Sequence, residues 1–92
     1  MIDTEKMAEA KSFYDNKDFS KAVESYSLLW DNSNKDNHNL LNAYGHALRK
    51  NGQSLEFIRI YTQIDKKSYL RKNPYVLSAL CWCVYEGHIK EY

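Results

Sequence analysis

The sequence predicts an all-α fold, a series of antiparallel helical hairpins, and three observations carry that expectation. Apolar residues recur at three- and four-residue spacing along most of the 92-residue chain, as on helices that bury one face. One proline and three glycines are too few for the many tight turns of a sheet protein. Shifting the chain by 35 residues lays turn on turn and apolar residue on apolar residue, the pattern expected when equivalent hairpins stack.

Each element follows from its own residues. A first helix is expected over about residues 4–16, with Met7, Ala10, Phe13 and Tyr14 on its apolar face. Between residues 19 and 30, Phe19, Ala22, Val23, Tyr26, Leu29 and Trp30 form a single stripe. Asp18 or Ser20 is placed to cap that helix by accepting a backbone N–H bond. The polar run 31–37 ends it, because Asp, Asn and Ser side chains compete for backbone hydrogen bonds. A helix over about 37–50 carries Leu40, Leu41, Tyr44, Ala47 and Leu48, and Asn51-Gly52 supplies a left-handed stop. The next, about 54–65, turns Phe57, Ile58, Ile60, Tyr61 and Ile64 inward, and the polar stretch 65–72 reads as irregular. Asn73-Pro74 opens a last helix, asparagine capping and proline fitting the first turn, and Gly87 is expected to close it. Short links make neighbouring helices antiparallel. The whole reads as one domain over 1–92, with hairpins over about 4–33 and 37–66 and an unpaired final helix over about 74–86.

The repeat has a recognisable form. The loop 16–18 falls on 51–53 and then on 86–88 under successive shifts of 35 residues. The same shift carries Ala10 to Gly45, Phe13 to Leu48, Tyr26 to Tyr61 and Leu29 to Ile64. The stretch from Phe13 to Tyr26 resembles the turn and second helix of a tetratricopeptide repeat, with Ala22 at the small position and Tyr26 at the aromatic one. Leu41, Tyr44, Gly45 and Leu48 resemble that family's first-helix pattern. The likeness covers nearly the whole chain, as two units plus the first helix of a third. It implies a right-handed α-solenoid and a non-catalytic protein-interaction scaffold whose first helices line a concave groove. The chain departs from the family at Phe57, which stands where Ala22 is small and implies wider spacing of the second hairpin. Asn34 and Tyr69 stand where the closing prolines belong.

On this resemblance the groove comprises Lys11 and Tyr14 on the first helix and Asn39, Asn42, His46, Arg49 and Lys50 on the third. Leu77, Cys81 and Tyr85 complete it on the last. Polar and basic in its middle and apolar toward its end, it suits a peptide or partner protein with a carboxylate beside a hydrophobic anchor. The family's carboxylate clamp is not reproduced, since Met7, Leu77 and Cys81 occupy its sites. From 76 to 85 the final helix is apolar almost all the way round, and Val76, Leu80, Trp82 and Cys83 are expected on a face with no cover. Two explanations stand: the chain is the N-terminal part of a longer repeat protein, or it forms a homodimer through that face.

Other functions find less support in the residues. Thirteen basic and twelve acidic residues leave a net charge of +1, against the basic excess usual in nucleic-acid binders. The alternative, a regulatory or nucleic-acid-associated module, would use Arg49 and Lys50 with the patch Lys66, Lys67, Arg71 and Lys72. His38, His46 and His88 follow no metal-ligand spacing, and no phosphate loop or nucleophile elbow is present, so neither enzyme chemistry nor a cofactor is expected. Cys81 and Cys83, two apart on one helix, point to different sides and cannot bond to each other, which fits a reducing, cytoplasmic setting. Acidic Asp3, Glu5 and Glu9 argue against a secretion signal, and the longest apolar run is too short to span a membrane.

Overall fold

A computed structural model describes residues 4–90, and for residues 87–90 the backbone alone. Five α-helices follow one another: α1 (Thr4–Asp15), α2 (Phe19–Asp31), α3 (His38–Lys50), α4 (Ser54–Thr62) and α5 (Pro74–Lys90), with a 3-10 helix (Tyr69–Lys72) before α5. No strand occurs among the described residues. Consecutive helices pack on one another. In addition α3 reaches α5 and, more slightly, α1, so that α3 touches every other α-helix.

The local signals explain where these helices begin. Asp18 Oδ1 accepts the Lys21 N–H at 3.4 Å, Asn37 Oδ1 accepts that of Leu40 at 3.0 Å, and Asn73 Oδ1 accepts those of Tyr75 and Val76. Each cap satisfies donors that the first turn leaves without intrahelical partners.

The ends of α1 and α3 are the same turn built twice. Lys17 and Gly52, 35 positions apart, both take positive φ, at 63° and 75°. Asp18 N–H then donates to Phe13 O at 2.8 Å, and Gln53 N–H to Leu48 O at 2.7 Å, the long bond of a Schellman stop. The third member of the series departs from expectation. Gly87 does not end α5, which continues to Lys90. A glycine inside a helix costs only about 1 kcal/mol relative to alanine; it stops a helix when the chain turns left-handed there, not by composition alone.

The core runs through all the helices. Ala10, Ala22, Tyr26 and Trp30 are buried at one end, Leu40, Leu41, Ala47, Leu48 and Phe57 in the middle, and Leu70, Val76, Ala79 and Cys83 at the other. Phe57 is completely buried, and its size is taken up at one place. A Cβ on Gly45 would lie 2.8 Å from Phe57 Cε1, so the ring occupies the space a larger α3 residue would need. Ala10 and Ala22, 35 residues before Gly45 and Phe57, are both fully buried and both small.

The stretch 65–72, expected to be irregular, contains the 3-10 helix, whose Leu70 is fully buried. Arg71 draws it in. Its Nε and Nη2 donate to Ile64 O at 3.1 and 2.8 Å, and Nη2 also to Thr62 O at 3.1 Å. The guanidinium lies 4.6 Å from the Tyr61 ring centre, and Tyr61 O–H donates back to Arg71 O at 3.2 Å. Arg71 thereby satisfies the carbonyls that the end of α4 leaves open.

Candidate functional site

Two concavities lie along α1, α3 and α5, and five of the ten groove residues expected from sequence line them: Lys11, Tyr14 and His46 the first, Cys81 and Tyr85 the second. The first, of about 350 Å³, lies between α1 and α3 and is lined by Met7, Ala8, Lys11, Tyr14, Asp15, Tyr26, Ala43 and His46. Its walls are mainly methyl groups and rings, with Lys11 and Asp15 as its charged groups. The second, of about 440 Å³, is a shallow depression on α5 lined by Ser78, Cys81, Trp82 and Tyr85. Positions 78, 81, 82 and 85 recur at helical spacing and form one stripe.

Arg49 and His46 stand between the two. Arg49 Nη1 donates to Glu86 at 2.7 Å in an ion pair whose side chains are only 14% and 23% exposed. Its guanidinium lies 5.3 Å from the centre of the Trp82 ring, and Nη2 approaches His46 Nδ1 at 3.4 Å. Arg49 Nε is buried with no hydrogen-bond partner. Burial, reinforced by neighbouring Arg49 and Lys50, holds the His46 pKa below its ordinary value, with Glu86 opposing. His46 is therefore neutral at pH 7, and its Nδ1 is free to accept from Arg49. Arg49, expected as an open cation for a ligand carboxylate, already holds one.

The remaining expected residues divide clearly. Asn39 and Lys50 are exposed on α3, Asn42 is half-buried, and Leu77 is half-buried on α5; none of these four lines either concavity. The bare face of α5 is not where the sequence reading placed it. Val76 and Cys83 are fully buried, and Leu80 packs against the core. The helix turns Val76, Ala79 and Cys83 toward α3 and α4, which leaves Trp82 on the groove side, 50% exposed, with Cys81, Val84 and Tyr85 also open. An apolar residue on an apolar helix gives no phase of its own, so four residues chosen as one face straddled two. Burial pushes the Cys83 thiol up to about 11, and it points at Gly45 O, 3.8 Å away.

Sequence reasoning missed Ala8, Tyr26, Ala43, Ser78 and Glu86. A signal existed for Glu86: a shift near 35 residues sets the end of α3 beside the end of α5, where a basic residue and an acidic one would meet. A further cleft of about 550 Å³ is lined by residues of α2 and α4, among them Trp30 and Ile60, with Tyr44 of α3, and Glu56 and Arg59 pair there. It is more polar than the α1/α3 cleft. Among the described residues no three His, Cys, Asp or Glu side chains converge as metal ligands, and no helix is long and apolar enough to cross a membrane.

Comparison with known protein families, with curated proteins and with solved structures finds no match for this chain.

Proposed function

We propose that this chain is a non-catalytic interaction scaffold of the tetratricopeptide type, a right-handed solenoid of two hairpins and one further helix. Its α1/α3/α5 face holds a peptide or partner protein. The carrying observation is the α1/α3 cleft, about 350 Å³ and apolar within, with Lys11 at its margin. A cleft of this size takes one large apolar side chain of a partner, and Lys11 offers a charge-assisted bond to a nearby carboxylate. The paired turns at Lys17 and Gly52 and the packing of α3 against both α1 and α5 support the repeat reading. Two free cysteines suit a reducing compartment inside the cell.

The test is selection of binders from a random peptide library displayed against the whole chain. Selected peptides are expected to share one apolar anchor position and to lose at least tenfold in affinity against Ala43→Trp, which fills the cleft, with helicity by circular dichroism unchanged. Peptides that bind Ala43→Trp as well as they bind the original chain would refute the assignment.

A second reading rests on α5 itself. Tyr75, Trp82 and Tyr85 are all half exposed or more on one side of α5, an apolar stripe of the kind that marks interfaces, and a homodimer would cover it. Light scattering over a concentration series is expected to show a mass increase that Trp82→Glu abolishes; a monomer at every concentration would exclude it. The nucleic-acid alternative is weakened, because Arg71 spends its donors on the end of α4.

A further inference from the structure

We infer that His46, Arg49, Glu86 and Trp82 form a proton-operated latch between the α1/α3 cleft and the α5 stripe, released when His46 gains a proton. Three contacts define it. Arg49 Nη1 meets Glu86 at 2.7 Å, Arg49 Nη2 meets His46 Nδ1 at 3.4 Å, and the guanidinium covers Trp82 at 5.3 Å. His46 also lines the α1/α3 cleft, and Trp82 lines the depression on α5. One guanidinium therefore ties a wall of each concavity to the other.

The latch is closed only while His46 is neutral. Arg49 always donates, so Nδ1 must supply a lone pair, which places the imidazole proton on Nε2. A second proton turns Nδ1 into a donor, removes this bond and sets two cations side by side. The neighbours decide where the groups then go. Facing His46 are Lys11, Tyr14 and Asp15 on α1, Tyr26 on α2, Arg49 and Lys50 on α3, and Glu86 on α5. Glu86 is the carboxylate whose charge reaches His46, and it is committed to Arg49. Protonation thus puts a new charge on the α3 wall of the cleft. It also relieves Arg49 of one of its two anchors, and the buried Nε, which has no partner, does not hold the guanidinium over Trp82 in its place. Burial and the two neighbouring cations keep this event below the ordinary histidine value of 6.5, so the latch is closed at neutral pH and opens in acid.

The experiment is a pH titration of the complete chain by nuclear magnetic resonance, following the His46 ring C–H and the Trp82 indole N–H, with buried Trp30 as internal reference. Both signals are expected to move with one midpoint below 6.5. In His46→Gln, which accepts from Arg49 but does not protonate, the Trp82 signal should stay flat. In Glu86→Gln, loss of a carboxylate should lower the two midpoints together; this variant decides the matter if His46→Gln does not fold. A Trp82 step that survives in His46→Gln, or a His46 titration that leaves Trp82 unmoved, would overturn the latch. Neither result depends on whether the face binds a peptide.

Discussion

Gly45→Ala should destabilise this protein, although the same change in an ordinary helix stabilises. Gly45 lies within α3 with ordinary helical backbone, so alanine there gains about 1 kcal/mol of helix propensity. The new methyl, however, would stand 2.8 Å from Phe57 Cε1 and 3.0 Å from both Cδ1 and Cζ. Phe57 cannot swing aside, because its ring is entirely buried between α3 and its neighbours. Overpacking of this kind costs about 1–3 kcal/mol, so the net loss is roughly 1 kcal/mol. In a domain of this size that lowers Tm by about 4–8 °C. Urea denaturation followed by circular dichroism measures it, and a double-mutant cycle isolates the cause. In a Phe57→Leu background the methyl has room, and Gly45→Ala should become stabilising by about 1 kcal/mol. If Gly45→Ala stabilises the original chain, or behaves alike in both backgrounds, the ring does not need the missing Cβ and the compensating pair is an error.

Four other outcomes follow from the same structure. Gly52→Ala meets nothing within 4 Å, so its cost of about 1 kcal/mol comes from the left-handed backbone alone; Lys17→Gly, at the equivalent turn, should be neutral or slightly stabilising by the same urea assay. Arg71→Lys should lose about 2 kcal/mol, nearly as much as Arg71→Ala, because an ammonium cannot fork to the carbonyls of Thr62 and Ile64 while covering Tyr61. Thiol alkylation under native conditions should label Cys81 rapidly and Cys83 only through unfolding, as read by mass spectrometry of the two sites, since Cys83 is buried and its thiol is pushed up to about 11. His46 has a folded-state pKa below the unfolded 6.5, so its share of stability is intact above that value and lost as pH falls from it toward the folded-state pKa. His46→Gln should flatten that segment of the stability profile in chemical denaturation at stepped pH.

What the sequence made legible were features that a few neighbouring residues decide. The starts of α2 and α5 lie where Asp18 and Asn73 can cap them, and the stop of α3 lies where Gly52 can turn left-handed. Lys17 shows the limit of that reasoning. It takes the same conformation without being glycine, and only the shift of 35 residues points to it. The stretch 65–72 misled because its order comes from Arg71, a charged residue that works by reaching back to α4, and no local pattern announces that.

The candidate site was legible in about half of its lining and not in its wiring. Helical spacing alone puts Lys11 with Tyr14 on one face of α1 and Cys81 with Tyr85 on one face of α5. Partner choice is another matter, since it depends on rotamers and on charges some 35 residues apart. Arg49 could in principle face solvent, a ligand or Glu86. The structure gives it to Glu86 at 2.7 Å and sets Trp82 beneath it. This one pairing removes the expected carboxylate reader from the groove and turns Trp82 from the outside of a bare helix into a wall of the site. It also gives His46 a partner whose bond survives only while the ring is neutral. Under the proposed function, recognition therefore rests on Lys11 and the apolar cleft it lines, while Arg49 joins that cleft to α5.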